Sequence, residues 1–273
     1  MAITTLDQLI NGFIPAINFY KTALTAEGAG TYTSYWAASG YPGTGFPGPI
    51  FSAGIGYTCS GNTMGAFQLP TYPQGEGQKM YLARFGAGLA NAGHVILYDR
   101  LWHCTGFSMN SAAVQSITTP GTLPPRCVDN TSSGLGTEAW GYIIGVPGAT
   151  AGSWSINYTN SDGVPSRTGL YSHPANAETV NQALPFTLQG ADKGVQSIQS
   201  ITTNTSATAG NLGLMIIRRL AETSCNTAGV GFYHDAFSLG MPEVPSGTCL
   251  GLINFASSTI AGVTVGSLVL ATG

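Results

Sequence analysis

The amino-acid sequence predicts a mainly β fold: an antiparallel β-sandwich or jelly-roll-like body of one or two sandwiches, with an N-terminal helical arm and long loops. Three observations predict this class. Short runs of β-branched and aromatic residues recur after residue 78, turns rich in Gly and Pro separate them, and no helix-period crossover lies between them. With 273 residues, 43% of them hydrophobic, the chain can bury a large core.

Residues 4–24 are the strongest helix candidate. Thr4 or Thr5 can cap the first turn, and Asp7 suits the positive end of a helix. Apolar residues follow at helical spacing, namely Leu6, Leu9, Ile10, Phe13 and Ile14. Because proline stops or kinks a helix, Pro15 marks a break, after which the chain can resume the helix up to residue 24.

Residues 28–77 are dense in proline, glycine and aromatic residues, which predicts long irregular loops. Loops of this kind pack against the body of the same subunit or against a neighbour. We therefore divide the chain into an N-terminal helix and extended loop arm, residues 1–77, and a β-sandwich body, residues 78–273. The residues that we expect to contact neighbouring proteins are Leu6, Leu9, Phe13, Tyr32, Tyr35, Trp36, Tyr41, Phe46 and Phe51.

Twelve segments of the body are predicted as strands: 80–85, 94–102, 113–117, 138–145, 153–160, 169–172, 185–189, 195–203, 212–220, 229–233, 249–256 and 263–271. Several alternate apolar and polar residues, which places one face on a core. Asp162-Gly163 is a hairpin signal between two of them. The pentapeptide Gln-Ser-Ile-Thr-Thr occurs at 115–119 and at 199–203; it marks two related sandwich units or, as we favour, is a coincidence of short polar sequence.

Only 8% of the residues are charged, with nine Lys and Arg against twelve Asp and Glu, where soluble domains average about 25%. Such a surface repels its own copies weakly, which favours a subunit that is covered by other protein. The largest basic cluster is Arg218-Arg219, so no nucleic-acid partner is expected. No long apolar run and no basic N-terminal region occur, so we expect no membrane partner and no secretory signal.

The five cysteines are odd in number, far apart and without a C-x-x-C pair: Cys59, Cys104, Cys127, Cys225 and Cys249. This pattern favours free thiols in a reducing cytoplasm. A disulfide between Cys104 and Cys127 is the alternative that stays open, because a sequence does not place the two Cα atoms.

No residue is predicted to be catalytic, to ligate a metal or to bind a cofactor. The histidines His94, His103, His173 and His234 lack metal-ligand spacing, and no nucleophile motif or phosphate-binding loop occurs. Asp99-Arg100 lies among large apolar residues, so we expect a buried salt bridge, with Glu138 or Arg84 as partner. Paired carboxylates for glycoside hydrolysis stay open, since folding rather than spacing unites them; Asp99, Glu138 and His234 are the residues to test.

Five segments carry a family likeness: Ala-Ile-Thr-Thr-Leu-Asp-Gln-Leu-Ile at 2–10, Ser-Tyr-Trp-Ala-Ala-Ser-Gly-Tyr-Pro-Gly at 34–43, Leu-Tyr-Asp-Arg-Leu-Trp-His at 97–103, Ile-Gln-Ser-Ile at 198–201 and Gly-Ser-Leu-Val-Leu at 266–270. Together they resemble a group of tailed-bacteriophage virion proteins, over most of the chain. The resemblance implies a head-associated decoration, cement or minor capsid protein. Proteins of that kind are often trimeric β-rich bodies that bridge capsomers.

The sequence therefore predicts a non-enzymatic component of a phage particle that uses no cofactor, assembles in the bacterial host cytoplasm and resides in the virion. Its expected partners are its own copies, as a homotrimer, and the phage major capsid protein or other virion proteins. Two alternatives stay open: a tail, baseplate or fibre component that contacts the host surface, and a particle-bound glycan hydrolase.

Overall fold

The structure is a computed structural model and describes residues 3–22, 29–45, 54–70, 78–146, 152–173, 179–203, 209–258 and 262–273. Within these ranges the chain forms two short helices, α1 (Leu6–Asn11) and α2 (Ala236–Leu239), and one 3-10 turn, Tyr35–Ala37. The sixteen strands of the same ranges are β1 (Ile17–Thr22), β2 (Thr31–Ser34), β3 (Gly40–Tyr41), β4 (Gly56–Thr58), β5 (Met80–Gly88), β6 (Gly93–Ser108), β7 (Gln115–Ser116), β8 (Glu138–Gly145), β9 (Gly152–Asn160), β10 (Arg167–His173), β11 (Gln182–Pro185), β12 (Val195–Thr203), β13 (Asn211–Cys225), β14 (Phe232–His234), β15 (Leu250–Ala256) and β16 (Val263–Thr272).

Six strands form a closed barrel at the centre of the molecule. Their order is β13-β8-β11-β2-β15-β6, every neighbouring pair is antiparallel, and β6 pairs back onto β13 to close the ring. β4 adds to β6 beyond the end of β15. Closure removes the open edges that a sheet otherwise presents to other chains.

Bulky side chains fill the barrel. Its interior core comprises Ile96, Tyr98, Trp140, Tyr142, Ala183, Met215, Ile217 and Ile253. Two glycines make room for the tyrosines, since a Cβ at Gly251 would lie 2.7 Å from the Tyr98 ring and one at Gly213 would lie 2.3 Å from the Tyr142 ring. A barrel of this size is filled because its interior is only as wide as its side chains.

Two further sheets pack against the outside of the barrel, one with the order β14-β5-β16-β1-β3 and the other with the order β10-β9-β12-β7. The core between the barrel and the five-stranded sheet includes Phe19, Phe85, Val95, Leu97, Leu252 and Leu268. The core between the barrel and the four-stranded sheet includes Cys104, Ile143, Trp154, Ile156, Ile198 and Leu214. The barrel wall therefore takes part in two sandwiches.

These findings confirm the predicted mainly β class. Eleven of the twelve predicted strands of the body overlap an observed strand by at least two residues, some with shifted ends. The strand predicted at 185–189 is wrong, because it shares only Pro185 with β11, which spans Gln182–Pro185. The hairpin predicted at Asp162-Gly163 joins β9 to β10, and Gly163 supplies a φ of 77°. The two copies of the repeated pentapeptide meet in one sheet, with Ser116 of β7 opposite Ser200 of β12.

The N-terminal helix prediction is wrong beyond α1. The helix ends at Asn11, and after Pro15 the chain forms β1, which pairs with β16. Within β1, Phe19 and Lys21 are buried while Tyr20 between them is exposed, an alternation that suits a strand rather than a helix. β2, β3 and β4 come from the region predicted as irregular loops, so strands from both sides of residue 77 share the same sheets.

Candidate interaction surface and buried polar cluster

An apolar groove lies between α1 and α2, on the face of the five-stranded sheet that is turned away from the barrel. We call it the α1–α2 groove. Its volume is about 350 Å3, and both helices and the sheet line it. Four apolar side chains along it are largely exposed: Leu6 60%, Ile10 53%, Phe13 48% and Phe237 84%. Clustered exposed apolar groups mark interaction sites, whereas single ones are ordinary.

Side-chain caps fix both helices of the groove. In α1 the Thr5 hydroxyl accepts a hydrogen bond from the Gln8 amide, and the Gln8 side chain accepts one from the Thr5 amide. In α2, Asp235 accepts hydrogen bonds from the amides of Ser238 and Phe237, and these bonds hold the pKa of Asp235 below its usual value. The caps therefore fix the backbone on which Phe237 is presented to solvent.

Two opposite charges border the α1–α2 groove, Arg84 of β5 and Asp235 at the start of α2. The guanidinium carbon of Arg84 lies 5.6 Å from the centroid of the Tyr233 ring, a cation–π arrangement. The charged side chains that line the groove thus sum to zero.

The residues predicted to contact neighbours divide into groups by burial. Leu6, Phe13 and Tyr41 are exposed, at 60%, 48% and 42%. Leu9, Tyr35 and Trp36 are buried within the subunit, and Tyr32 packs edge-on against Trp140. Phe46 and Phe51 lie outside the described residues. The buried loop aromatics find partners in their own chain, as in the 2.7 Å hydrogen bond between the hydroxyls of Tyr35 and Thr264.

Asp99 is fully buried and pairs with Arg126, which corrects the two partners predicted from the sequence. Arg126 donates to both carboxylate oxygens of Asp99, at 2.9 and 3.1 Å. Asp99 also accepts a hydrogen bond from the Cys249 amide at 2.9 Å, and Arg126 donates one to the Cys59 carbonyl at 3.0 Å. Through these hydrogen bonds the ion pair connects the backbone at Cys59 with the backbone at Cys249, two segments that are distant in the sequence.

Arg100 is buried between aromatic rings. Its guanidinium carbon lies 4.6 Å from the centroid of the Trp36 ring and 5.0 Å from that of Tyr142. Burial raises the pKa of both Tyr98 and Tyr142 to about 12, so these tyrosines are neutral near pH 7. The aromatic faces compensate for the water that the buried cation loses.

All five cysteines are free thiols, as the sequence predicts, and all five are buried. Cys59 Sγ lies 3.8 Å from His103 Nδ1, and the thiols of Cys59 and Cys249 are within hydrogen-bonding reach. The hydrogen bond from Cys249, together with His103 and Arg100, holds the pKa of Cys59 well below its usual value. Burial raises the pKa of Cys249 well above its usual value, so the two thiols differ in reactivity.

Of the three residues named for glycan hydrolysis, two are hydrogen-bonded to different arginines and the third lies in another sheet. Asp99 is committed to Arg126, Glu138 accepts hydrogen bonds from Arg219 at 3.1 Å and from the Trp140 indole at 2.9 Å, and His234 lies on β14 of the five-stranded sheet. Across the described parts of the chain, no three His, Cys, Asp or Glu side chains are grouped to hold a metal ion. In the same parts, neither helix has the length and hydrophobicity of a membrane span.

No protein-family model matches the chain, and neither does any curated protein. Among solved structures, the chain is similar to one of infectious bursal disease virus, Gx strain, at 8% identity and a TM-score of 0.22, covering 95% of this chain and 80% of that one. It is also similar to the VP2 subviral particle of infectious bursal disease virus, at 11% identity and a TM-score of 0.21, covering 96% and 81%. Likeness at this level does not define the fold, which rests on the sheet topology described above.

Neither the sequence nor the comparisons single out Phe237. It lies in a four-residue helix, which is too short to give an amphipathic repeat. The available signal is local: Asp235 can cap a helix and Gly240 can end one, which places a short helical turn between them. That signal predicts a turn but not the exposure of the ring that it carries.

Proposed function

We propose that the chain is a non-enzymatic structural subunit of a virus particle that associates with its own copies and with other virion proteins. The observation that carries the proposal is the α1–α2 groove with Phe237 at its rim, on a chain that is only 8% charged. Covering apolar surface is favourable, and little like-charge repulsion opposes it.

A second copy of the chain is the occupant that the α1–α2 groove fits. Phe237 of one copy is a protruding aromatic anchor, and the groove of about 350 Å3 can receive a ring of that size. Arg84 of one copy can face Asp235 of the other, because both charges border the same groove. Such a contact buries no unbalanced charge.

Within the particle, we propose the role of a decoration or cement protein on the head of a tailed phage, acting as a homotrimer across capsid subunit boundaries. The resemblance to phage virion proteins supports this role, and a net charge of −3 suits the outside of a shell, away from packaged DNA. A tail or fibre component that contacts the host surface would need exposed aromatic side chains in residues 28–77; Tyr35 and Trp36 are buried there, whereas Tyr41 is exposed.

Sedimentation velocity of the purified full chain over a range of concentrations tests the self-contact. We expect the wild type to form oligomers and Phe237→Ser to weaken association at least tenfold, about 1.4 kcal/mol, because it removes the aromatic anchor. Val114→Ser is the matched control, since Val114 is 64% exposed next to the four-stranded sheet. A wild type that stays monomeric at high concentration, or equal effects of both variants, contradicts this contact.

Cryo-electron microscopy of intact particles with a label on the C-terminus of this chain tests the place in the virion. We expect label on the head surface, arranged between capsid subunits. Label on the tail replaces the decoration role with a tail role, and particles without the chain overturn the virion assignment.

A further inference from the structure

Cys59 and Cys249 meet at a junction in the barrel wall. β4 and β15 lie end to end along the same edge of β6. The Cys59 amide donates to the Leu101 carbonyl at 2.9 Å, and the Arg100 amide donates to the Cys249 carbonyl at 2.8 Å. The two cysteines therefore occupy adjacent positions along this edge, although they are 190 positions apart in the sequence.

The buried ion pair holds the backbones of both cysteines. Arg126 donates to the Cys59 carbonyl, and Asp99 accepts from the Cys249 amide. Since Asp99 and Arg126 also bind each other through two hydrogen bonds, the four groups form one connected network. The hydrogen bonds of the buried ion pair thus fix the backbone positions of both cysteines within the barrel wall.

The two thiols are placed for bond formation. Cys59 and Cys249 pack in the same small buried cluster and share a side-chain hydrogen bond, and a disulfide brings its two sulfur atoms to about 2.0 Å. His103 and Arg100 beside Cys59 favour its thiolate. Cys249, whose pKa is raised by burial, keeps its proton. One sulfur is therefore the nucleophile and the other the resolving thiol.

A surface cavity of about 310 Å3 reaches this junction. It is lined by Ser60 and Gly61, which follow Cys59, and by Gly247 and Thr248, which precede Cys249. Both cysteines are themselves buried, at 1% and 0% exposure. A molecule as small as hydrogen peroxide can enter the cavity and so reach residues that adjoin both cysteines in the chain.

We propose that Cys59 and Cys249 form a redox modification site, at which a peroxide converts the two thiols into a disulfide that links the end of β4 to the start of β15. The proposal goes beyond the virion role and does not depend on it. For a virion protein it has one consequence: the chain would fold with free thiols in the reducing host cytoplasm and be cross-linked after release.

The reaction has two steps. The Cys59 thiolate, whose proton has passed to the solvent, attacks one oxygen of hydrogen peroxide. The O–O bond breaks, Cys59 becomes a sulfenic acid, and the hydroxide that leaves takes up that proton to form water. The Cys249 sulfur attacks that sulfenic sulfur, the S–O bond breaks, and the oxygen leaves as water with the thiol proton. Overall, two thiols lose two electrons and two protons, and one peroxide becomes two waters.

The other three cysteines serve as internal controls. Burial raises the pKa of Cys104, to about 12, and also raises those of Cys127 and Cys225. Cys104 and Cys225 direct their thiols to backbone carbonyl oxygens, at 3.9 Å to Thr105 and 3.1 Å to Ala87. These thiols are therefore expected to react slowly.

Thiol titration and peptide mapping by mass spectrometry test the proposal on the intact purified chain. Treatment with a few equivalents of hydrogen peroxide should lower the thiol count of the subsequently denatured protein from five to three (five minus the pair). The map should contain one cross-linked pair of peptides, carrying Cys59 and Cys249. We expect the melting temperature of the oxidised chain to rise by roughly 5–15 °C, because the link constrains a long loop of the unfolded chain.

Two variants separate the chemistry from general damage. In Cys249→Ser a hydroxyl donor is kept beside Cys59 but the resolving thiol is gone, so the sulfenic acid on Cys59 should persist and be trapped by dimedone. Cys225→Ala is the matched control and should still lose two thiols. The wild-type chain alone can overturn the proposal. It does so if all five thiols remain under conditions that oxidise free cysteine, or if the cross-link joins a different pair of cysteines. Failure here leaves the test with Phe237→Ser unaffected, and the reverse also holds.

Discussion

Five of the described charged side chains expose 5% or less of their surface: Lys21, Asp99, Arg100, Arg126 and Arg218. Four of the five are cations. Lys21 donates to three backbone carbonyls, and burial lowers its pKa to about 8. Arg218 donates to the Glu243 carbonyl. At the residue scale, a chain with few charges thus buries a notable share of them, each against carbonyl dipoles, aromatic faces or a single carboxylate.

Asp99→Asn should destabilise the protein by about 3–5 kcal/mol, because it leaves the buried Arg126 without its counter-charge. Glu138→Gln is the matched control, since the Glu138–Arg219 pair is 35% exposed on each side and exposed pairs contribute about 0–1 kcal/mol. Urea-induced unfolding measures both free energies. Equal losses in the two variants would contradict the role assigned to the buried pair.

β6 explains why the central strands are apolar on both faces. It spans sixteen residues, and only Gly106 among them is exposed. Ile96 and Tyr98 project into the barrel, whereas Val95 and Leu97 project toward the five-stranded sheet. A strand that packs against a core on each face cannot alternate apolar with polar residues. The long apolar run of β6 follows from this burial on both faces.

Gly251→Ala should cost about 1–3 kcal/mol, because the added methyl group would meet the Tyr98 ring inside a filled barrel. Gly43→Ala is the control, since a Cβ there meets nothing within 4 Å; it should change stability by about 0.5 kcal/mol or less. Thermal and urea unfolding compare the two. If Gly251→Ala leaves the free energy of unfolding unchanged, the Tyr98 ring can move to accommodate the added methyl group, which contradicts a tightly filled barrel.

At the scale of the molecule, β6 and β13 hold the two sandwiches together. Leu212 and Leu214 of β13 belong to the core beneath the four-stranded sheet, and Leu220 and Cys225 of the same strand belong to the core beneath the five-stranded sheet. If either outer sheet unfolds, one face of β6 and β13 becomes exposed to solvent. The other outer sheet packs against these same two strands. Strong mutual dependence of this kind favours unfolding as one unit.

We expect a single cooperative unfolding transition, although the chain, at 273 residues, exceeds the size at which two-state behaviour is usual, about 150 residues. Far-ultraviolet circular dichroism and tryptophan fluorescence should give superimposable curves, with calorimetric and van't Hoff enthalpies that agree. Two separated transitions would instead indicate that the outer sheets unfold independently of one another.

Local signals in the sequence are enough to place most strands of the body. The turn at Asp162-Gly163 and the alternation of β9 depend on neighbours in the sequence, so the sequence predicts them well. The N-terminal region was harder, because residues 17–22 carry a pattern that helix and strand readings share. Pairing with β16, from the far end of the chain, decides that they form a strand.

The α1–α2 groove is lined in part by residues that the sequence predicts to contact neighbours, namely Leu6, Leu9 and Phe13. Leu6 and Phe13 follow from helical spacing, but Phe237 enters the groove from a segment more than 200 residues away. Tyr35 and Trp36 were expected to contact a neighbour and are buried, because the barrel and the buried Arg100 offer them partners within the chain. Aromatic content predicts that a segment packs, but not against which surface.

The sequence by itself determined the mainly β class, the positions of most strands and the scarcity of charge, because alternation, turn residues and composition are properties of neighbouring residues. Only the tertiary structure decided that six strands close into a barrel, that Asp99 meets Arg126 and that Cys59 meets Cys249. Those contacts depend on which strands pair. Pairing is set by the burial of many side chains at once, so no local pattern encodes it.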